Sequence, residues 1–322
     1  MFKNAKVLVT GGAGFVGTNL ILRLLDLGAQ VTATIHKKEP QIKDPRVAFI
    51  RAELLNAADC EKVCAGQDYV FMCAANTSGA GVMATTPLVH LTPNVIMNVS
   101  MLDAAYKAGV KKFCFLSSNT VYPLTDYAVK EEDCIDEFYE KYHIVAWMKR
   151  FTEIVCEMYD KKIAKPMKTC VVRPGNIYGE YDDFEWATSH VIPALVRKVA
   201  ERQSPLEVWG DGKDLKDFVY ISDFIDGMLA AFEKIDGYDP INIAGGNSVT
   251  VRDVLGHLMK AAGYEDAQVK YLTDKPTMIP KRLINIDRAK RVLGWQPKVA
   301  IGDGLARTLA WYQAHPLAVE KK

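Results

Sequence analysis

Three glycines near the amino terminus have the spacing of a phosphate-binding turn. Gly11, Gly14 and Gly17 directly follow the apolar run KVLVT (6–10) and lead into a helical pattern at 18–28. In such a strand–turn–helix unit the first glycine permits the tight turn and the second lets a pyrophosphate approach the backbone. The third lets the helix pack closely on the sheet. Because the helix would also point its N-terminus at the phosphates, the pattern predicts a bound dinucleotide.

The residues expected around the adenosine favour one cofactor over another. An acidic residue after the second strand usually holds an unphosphorylated ribose, but this sequence has His36 and Lys37 there. Basic groups at that place could hold a 2′-phosphate, so NADP is favoured over NAD. The alternative is that Lys37 and Lys38 are ordinary solvated loop charges. Glu53 and Leu54, after the third predicted strand, are expected beside the adenine.

Short apolar runs alternate with longer helical patterns through the first half of the chain. The predicted strands cover 6–10, 30–35, 47–52, 69–75 and 112–118. Their apolar residues are continuous rather than alternating, which is typical of strands covered on both faces. The sequence therefore predicts the α/β class, with a doubly wound parallel Rossmann sheet and a smaller C-terminal α/β substrate-binding lobe.

The two parts of the chain are predicted to interleave. The regular alternation ends near residue 175, and a proline- and aromatic-rich stretch follows. The run FVYISDFIDGMLAAFEKI then has the pattern of a strand and a helix that return to the first domain. We therefore assign 1–175, with about 216–238, to the dinucleotide-binding domain, and 176–215 with 239–322 to the lobe.

Composition argues against several kinds of partner. The chain has 322 residues, with 40 Lys and Arg against 39 Asp and Glu, so its net charge of +1 gives no electrostatic case for nucleic acid or an anionic membrane. No apolar run reaches the roughly 18 residues of a transmembrane helix. Seven scattered cysteines without a CxxC spacing argue against a disulfide framework and a zinc site, so no metal is predicted. A strand pattern within a few residues of Met1 leaves no room for a signal peptide and predicts a cytoplasmic protein.

Four motifs together resemble one known family. They are TGGAGFVG (10–17), FLSSNTVYP (115–123), Lys149 with Glu153 one turn later, and RPGNIYG (173–179). This combination is similar to the extended short-chain dehydrogenase/reductase family, which consists largely of nucleotide-sugar epimerases, dehydratases and reductases.

The resemblance continues into the C-terminal half. SHVIPAL (189–195) and VWGDGKDLKDFVYISD (208–223) are most similar to the GDP-fucose synthase group, and the closing LINIDRAKRVLGWQP (283–297) also fits the family. The likeness therefore covers nearly the whole chain. It implies a nicotinamide dinucleotide as cofactor and a nucleotide sugar, GDP-linked in that group, as substrate.

The resemblance also implies roles for individual residues. Ser118 would hold the sugar carbonyl, Lys149 the nicotinamide ribose, and His190 would be the epimerisation acid. The residues implied around the cofactor, beyond those already named, are Phe15, Val16, Ala74, Ala75, Lys149, Pro174, Asn176 and Ile177. Those implied around the substrate are Ser118, Asn176, His190, Lys198, Trp209, Lys216 and Arg282. From the residue types alone, the basic side chains of Lys198, Lys216 and Arg282 could neutralise a diphosphate.

Two positions depart from the pattern. Thr120 stands where the synthase group has a cysteine as its second epimerisation group, and a threonine hydroxyl is too weak an acid to replace it near neutral pH. A full double epimerisation is therefore not expected. Val145, four residues before Lys149, stands where the family has the tyrosine that transfers the proton. Valine cannot do this, and losing such a group costs about 10²–10⁴-fold in rate.

The sequence offers three ways to account for Val145. Tyr142 or His143 could replace the phenol, although Tyr142 would lie about 10 Å from Lys149 along a regular helix. It could serve only if the helix starts late and the preceding loop folds back over the site. Ser118, His190 and a water could act together instead, or redox activity could be slow or absent. Tyr122 and Tyr178 are expected to pack in loops beside the pocket.

These patterns predict an enzyme rather than a binding module. The expected reaction is hydride transfer at C4 of the sugar, as an epimerase or reductase. One alternative is a catalytically lapsed cofactor sensor without the Tyr–Lys pair. A dehydratase ranks lower because SSNTVYP carries no Asp-Glu pair. Helix 144–160 and segment 95–108 resemble the helices through which this family dimerises, so a homodimer is expected, unless that helix is simply buried within the monomer.

Overall fold

The computed structural model describes residues 1–76, 86–275 and 277–315. Its strands are β1 (Lys6–Val9), β2 (Gln30–Ile35), β3 (Val47–Arg51), β4 (Tyr69–Met72), β5 (Lys112–Leu116), β6 (Lys168–Pro174), β7 (Asn176–Tyr178), β8 (Leu206–Trp209), β9 (Leu215–Tyr220), β10 (Ile241–Ile243), β11 (Ser248–Thr250) and β12 (Val269–Leu272). Its α-helices are α1 (Phe15–Asp26), α2 (Ala57–Cys64), α3 (Thr92–Lys107), α4 (His143–Lys161), α5 (Val191–Ala200), α6 (Ile221–Lys234), α7 (Val251–Ala261) and α8 (Ile301–Ala314). Within these ranges no helix is both long enough and apolar enough to cross a membrane.

The main layer is a seven-stranded parallel sheet in the order β10-β6-β5-β4-β1-β2-β3. Val7, Leu8 and Val9 are all fully buried, as their continuous apolar pattern predicts for a central strand covered on both faces. The order reverses at β1 and β4, where an open α/β sheet leaves a crevice at the carboxyl ends of its strands. The predicted doubly wound parallel sheet is confirmed.

A smaller set of strands forms the second part of the molecule. β7, β9 and β11 make a three-stranded sheet, and β8 pairs with β12 in a two-stranded one. The pairings differ from the expected division at two places. Strand β9, expected to return to the first domain, joins the small sheet, whereas β10 from the expected lobe closes the main sheet beside β6. At three residues β10 is too short for its periodicity to show in the sequence.

Two neighbouring helices, α3 and α4, cover one face of the main sheet and pack against each other. Between them, the side-chain amide of Asn98 donates to the hydroxyl of Thr152 at 3.2 Å. The outer side of the pair keeps large apolar side chains exposed, namely Ile96, Trp147, Phe151 and Met158. Helix α4 is therefore only half covered within one chain.

Candidate active site

The glycine turn has the close backbone approach that its sequence predicts. Gly11 has a φ of +68°, and a Cβ on it would lie 2.8 Å from the Cα of Ala74. A Cβ on Gly17 would lie 2.2 Å from the carbonyl oxygen of Gly11, so no other residue fits there. Gly14 precedes α1, which has neither a side-chain cap nor an acidic residue in its first turn. The first backbone N–H groups of α1, including those of Phe15 and Val16, are therefore available to an anion, which fits the pyrophosphate of a dinucleotide.

The loop after β4 is fixed against this turn. The hydroxyl of Thr10 accepts hydrogen bonds from the backbone N–H groups of Cys73 and Ala74, each at 3.0 Å. Ala74 is half-buried and Ala75 is exposed. Both predicted cofactor residues thus lie at the carboxyl edge of β4, next to the glycine turn.

A group of charged side chains surrounds the end of β2. The imidazole of His36 lies 3.0 Å from the carboxylate of Glu53, and both are exposed. Arg51 donates to the carbonyl of His36 and forms an ion pair with Glu39 at 2.5 Å. Lys37 is exposed in the same loop. Leu54, by contrast, is 6% exposed and belongs to the core. Arg51, the last residue of β3, was not singled out in the sequence because its proximity to His36 depends on the pairing of β2 with β3.

Lys149 is anchored at the centre of the crevice. Its ammonium group donates to the carbonyl of Leu116 at 2.7 Å and lies 5.1 Å from the ring centre of Phe115. Burial lowers the pKa of Lys149 to about 8. Since Leu116 ends β5 just before Ser118, the lysine is held against the loop that carries the predicted serine.

A buried ion pair fixes the helix that presents this lysine. Both carboxylate oxygens of Glu153 accept hydrogen bonds from Arg173, at 2.9 and 2.7 Å, and Ser117 donates to the same carboxylate at 2.5 Å. Glu153 and Arg173 are almost fully buried. The pair ties α4 to β5 and β6. Glu153 was noted in the sequence, but its partner could not be identified without the sheet order.

The hydroxyl of Ser118 is oriented by its neighbour. It accepts one hydrogen bond from the backbone N–H of Thr120 at 3.1 Å and another from the hydroxyl of Thr120 at 3.0 Å. A hydroxyl has two acceptor sites and one donor, so the proton of Ser118 is left to donate to a ligand oxygen. Thr120 is therefore a positioning residue for Ser118 in this structure.

The start of α4 lacks the family's proton-transfer group. Val145 is half-buried one turn before Lys149. Tyr142 immediately precedes the helix, which begins at His143, and burial raises the pKa of Tyr142 to about 12. The ring of His143 is exposed and contacts those of Phe138 and Trp147 at centroid distances of 5.9 and 6.5 Å. His143 thus lies in an exposed aromatic cluster, not on the buried face that carries Lys149.

Two loop tyrosines pack as expected. The hydroxyl of Tyr122 donates to the side chain of Asn242 at 2.6 Å and accepts from Arg173 at 3.1 Å. Tyr178 is 1% exposed and packs against Gly304, whose Cβ would lie 2.2 Å from the Tyr178 hydroxyl oxygen. Neither phenol is free to replace the missing tyrosine.

The segment after β6 closes the crevice. The carbonyl of Pro174 accepts from the side chain of Asn119 at 3.0 Å, and the side-chain nitrogen of Asn176 donates to the carbonyl of Asp217 at 2.8 Å. Ile177 is half-buried. These predicted cofactor residues lie where the main sheet passes into the small one.

His190 stands at the N-terminus of α5 in the smaller part of the molecule. Its imidazole is open to solvent, yet burial by the surrounding protein and the charge of His90 lower its pKa, while Asp183 raises it. This combination is expected of a side chain on the wall of a cleft. The hydroxyl of Thr188 donates to Asp183 at 2.6 Å and fixes that carboxylate.

The basic residues predicted around a diphosphate form two groups. Arg282 donates to the carbonyls of Pro123 and Tyr122, at 2.8 and 3.1 Å, and its Nε is buried without a hydrogen-bond partner. Lys216 lies nearby, donates to the carbonyl of Ile279 at 2.8 Å, and has its pKa lowered by burial. Among the described residues, both cations thus already donate hydrogen bonds to backbone carbonyls of the protein.

The second group belongs to α5 and β8. Lys198 donates to the carbonyl of Glu207 at 2.5 Å, and Trp209 ends β8 with 45% of its surface exposed. A Cβ on Gly210, the next residue, would lie 2.5 Å from Thr277. The two groups of basic residues therefore lie on either side of the chain around Thr277. Across the described residues no cluster of His, Cys, Asp and Glu side chains is arranged to hold a metal ion.

The chain is similar to known proteins over most of its length. A family model described as the NAD dependent epimerase/dehydratase family matches residues 7–244. A probable GDP-L-fucose synthase 1 of Oryza sativa subsp. japonica is 27% identical over 99% of this chain and 95% of the relative. A GDP-mannose 3,5-epimerase of Arabidopsis thaliana is 26% identical over 96% of this chain and 82% of the relative. Among solved structures, the UDP-glucose 4-epimerase of Thermotoga maritima with UDP-glucose has a TM-score of 0.85 and 25% identity, over 96% of this chain and 99% of that chain.

Proposed function

The chain belongs to the NAD dependent epimerase/dehydratase family, and we propose that it is a nucleotide-sugar oxidoreductase or epimerase that transfers hydride at C4 of a GDP-linked sugar. The main support is the contact between the Lys149 ammonium and the carbonyl of Leu116, at 2.7 Å, beside the oriented hydroxyl of Ser118. A donor hydroxyl and a cation would then lie close together at the carboxyl end of β5. Such a pair can polarise a sugar carbonyl and hold a ribose.

A bound nicotinamide dinucleotide would supply the hydride acceptor or donor. Its pyrophosphate would lie on the N-terminus of α1, beside the glycine turn. We propose NADP rather than NAD because His36, Lys37 and Arg51 surround the place of the ribose 2′-oxygen. Glu53 and Glu39 partly neutralise them. Arginine binds phosphate in a bidentate manner, so Arg51 is the strongest candidate for that group.

The nucleotide sugar would extend from this point into the smaller part of the molecule. Its diphosphate would lie near Lys216 and Arg282, whose buried Nε has no partner. His190 would face the sugar, with Asn176 beside it and Lys198 and Trp209 at the nucleoside end. GDP is proposed because the chain has the motif SHVIPAL and because GDP-L-fucose synthases and a GDP-mannose epimerase are among its relatives.

Isothermal titration of the purified protein with GDP-mannose, GDP and UDP-glucose, in the presence of NADP, tests this proposal. We expect GDP-mannose and GDP to bind and UDP-glucose to bind at least about tenfold more weakly, a difference of about 1.4 kcal/mol. Lys216→Met should weaken GDP binding, whereas Lys213→Met, which removes an exposed lysine, should not. Preference for UDP-glucose would refute the GDP assignment and leave the family chemistry standing.

Val145 favours one second candidate, a dinucleotide sensor without catalysis. A sensor of this kind has no use for a sugar-nucleotide pocket. It should bind NADP in the same titration and show no heat with any of the three sugar-pocket ligands. Binding of GDP-mannose would therefore exclude it.

We further propose that the protein is a cytoplasmic homodimer with no nucleic-acid partner. The exposed apolar side chains of α3 and α4, Ile96, Trp147, Phe151 and Met158, would meet those of a second copy. Sedimentation of wild-type protein and of Trp147→Glu measures this. The variant is expected to be monomeric, because a buried unpaired carboxylate opposes association.

A further inference from the structure

One fully buried carboxylate joins the two sheets of the molecule. Asp217, the third residue of β9, has no exposed surface. Its Oδ1 accepts from the backbone N–H of Gly245 at 2.7 Å, and its Oδ2 accepts from that of Gly246 at 2.9 Å. Strand β9 belongs to the small sheet, whereas the two glycines follow β10 of the main sheet. Asp217 therefore fixes the end of β10 against the small sheet.

Three glycines enclose this carboxylate closely. A Cβ on Gly175, between β6 and β7, would lie 2.7 Å from Oδ1 of Asp217. A Cβ on Gly245 would lie 2.1 Å from the carbonyl oxygen of Phe218. Gly246 has a φ of +70°, a conformation that favours glycine. Two segments that are far apart in sequence thus leave room for the Asp217 carboxylate and for no side chain of their own.

The same residue orients a predicted site residue. The side-chain nitrogen of Asn176 donates to the backbone carbonyl of Asp217 at 2.8 Å. The preceding residue, Gly175, donates its backbone N–H to the carbonyl of Ile243 at 3.1 Å. The segment that carries Asn176 is therefore held by β9 on one side and by β10 on the other. The carboxylate of Asp217 ties these two strands together.

The charge of this carboxylate is not balanced by a neighbouring cation. Burial raises the pKa of Asp217 to about 7, although its two backbone hydrogen bonds lower it, and no charged side chain of the described residues contributes to the shift. Lys216, the preceding residue, forms its ion pair with Asp214 instead. Strands β7, β10 and β11, which surround the carboxylate, contain one ionisable side chain, the phenol of Tyr178, and burial raises its pKa so that it stays neutral. Since both oxygens of Asp217 accept from N–H groups, a proton on either oxygen would weaken one of the two bonds.

We propose that Asp217 is a positioning residue for the nucleotide-sugar site, and that its ionised form holds Asn176 in the arrangement that binds the ligand. The inference rests on the proposed function. When one oxygen is protonated, the bond to Gly245 or Gly246 weakens, and the joint between the two sheets loosens. The affinity of the site for its ligand then falls as the pH drops through the pKa of this carboxylate. Asp217 acts through Asn176 and makes no contact with the ligand.

A first test observes the carboxylate in the unliganded wild-type protein. Labelling with nitrogen-15 glycine gives the amide signals of Gly245 and Gly246, and an N–H that donates to a carboxylate shifts when that group is protonated. We expect both signals to titrate together between pH 8 and pH 6. Asp217→Asn keeps the size of the side chain but cannot ionise, so neither signal should titrate in it. Signals that stay constant over this range in wild type would overturn the proposal.

A second test relates this ionisation to ligand binding. The dissociation constant of GDP-mannose is measured by isothermal titration at pH 8 and pH 6, with saturating NADP. Between these values the affinity of wild type should fall by about fivefold more than that of Asp217→Asn, a difference of about 1 kcal/mol. Other groups, including His190, titrate in both proteins, so the difference between them reports on Asp217. Asp226→Asn, which removes a half-exposed carboxylate of α6, should behave as wild type.

The remaining outcomes are also decisive. An equal pH dependence of affinity in wild type and Asp217→Asn would overturn the positioning role, even if the glycine signals titrate. If the variant does not fold, wild type alone decides, because the glycine signals and the affinity should change with the same midpoint. Different midpoints would contradict the proposal. If neither GDP-mannose nor UDP-glucose binds at either pH, the proposed function fails and the positioning role fails with it. The glycine titration distinguishes that failure from a carboxylate that does not ionise.

Discussion

The two ends of helix α4 differ in what surrounds them. In the middle and C-terminal part, Lys149, Thr152 and Glu153 are buried, and each has a partner on another element. At the N-terminal end, Val145 is half-buried, and the exposed ring of His143 contacts those of Phe138 and Trp147. A polar group bound into the core cannot be lost without leaving its partner unpaired, whereas the first turn carries no such penalty. The scaffold that orients the lysine can therefore persist while the first turn loses its proton-transfer group.

The largest effect should come from breaking the buried end. Arg173→Met leaves the buried carboxylate of Glu153 with the longer contact to Arg150, at 3.4 Å, as its remaining ion pair, and removing one member of such a buried pair costs about 3–5 kcal/mol. We expect that loss in the free energy of unfolding, measured by urea denaturation at pH 7. The double variant Arg173→Met, Glu153→Met should recover most of it, since neither charge remains.

Lys168→Met is the matched control for this measurement. Its ion pair with Asp236 is exposed on both sides, so no measurable change is expected. Equal stabilities of Arg173→Met and Lys168→Met would mean that the C-terminal end of α4 is no more constrained than the surface. The contrast between the two ends would then be lost.

Lys149, between the two ends, should reveal its burial through pH. Burial lowers its pKa from 10.5 to about 8, so between these values the folded protein has released a proton that the unfolded chain still holds. Unfolding then takes up a proton, and the free energy of unfolding due to Lys149 rises with pH. The full difference is about 3 kcal/mol, at about 1.4 kcal/mol per pKa unit.

The measurement compares wild type with Lys149→Met from pH 7 to pH 10.5. Other groups titrate in both proteins, so only the difference between them reports on Lys149. That difference should change in favour of wild type as pH rises. A stability difference that does not change with pH would show that the ammonium of Lys149 is well solvated. Lys149 would then resemble the exposed residues at the N-terminal end of α4 rather than the buried ones.

The N-terminal end can be tested by restoring the absent group. Val145→Tyr places a phenol one helical turn before Lys149, on the same face. We expect it to recover at least about tenfold in kcat over wild type, since a general acid–base group contributes more than this. Val145→Phe, equal in size but without the hydroxyl, should recover nothing. Equal recovery by both would attribute the effect to packing.

Much of the fold could be predicted because it depends on local sequence patterns. The apolar runs of β1 to β5, the glycine turn and α4 each depend on residues close together in sequence. Strand β10 was not recognised because it has only three residues, whereas β9, with six, joins the small sheet through its pairing with β7 and β11. The carboxylate of Asp217 in β9 accepts from the N–H groups of Gly245 and Gly246, which follow β10. That contact joins segments that are far apart in sequence, so no sequence periodicity could predict it.

The residues of the candidate site also fall into two kinds: those that sequence motifs indicate and those that only the folded chain reveals. Gly11, Gly17 and Lys149 were found because motif spacing sets their geometry. Arg51 was missed because its position beside His36 depends on the pairing of β2 with β3, which only the folded chain reveals. His143 lies six residues before Lys149 in sequence, and in the structure its ring lies beside that of Trp147.

The smallest effect should come from Thr120, which faces the open end of α4 from the loop after β5. Thr120→Val removes the hydroxyl that donates to Ser118 and keeps the shape of the side chain. One neutral hydrogen bond contributes about 0.5–1.5 kcal/mol, so kcat/KM should fall by about two- to tenfold. Thr120→Ser keeps the hydroxyl and should remain close to wild type. If Thr120 were instead an epimerisation acid, the valine variant would lose deuterium exchange at the sugar carbons in D₂O by at least about 10²-fold. A loss of that size would show that the threonine takes part in catalysis rather than only positioning Ser118.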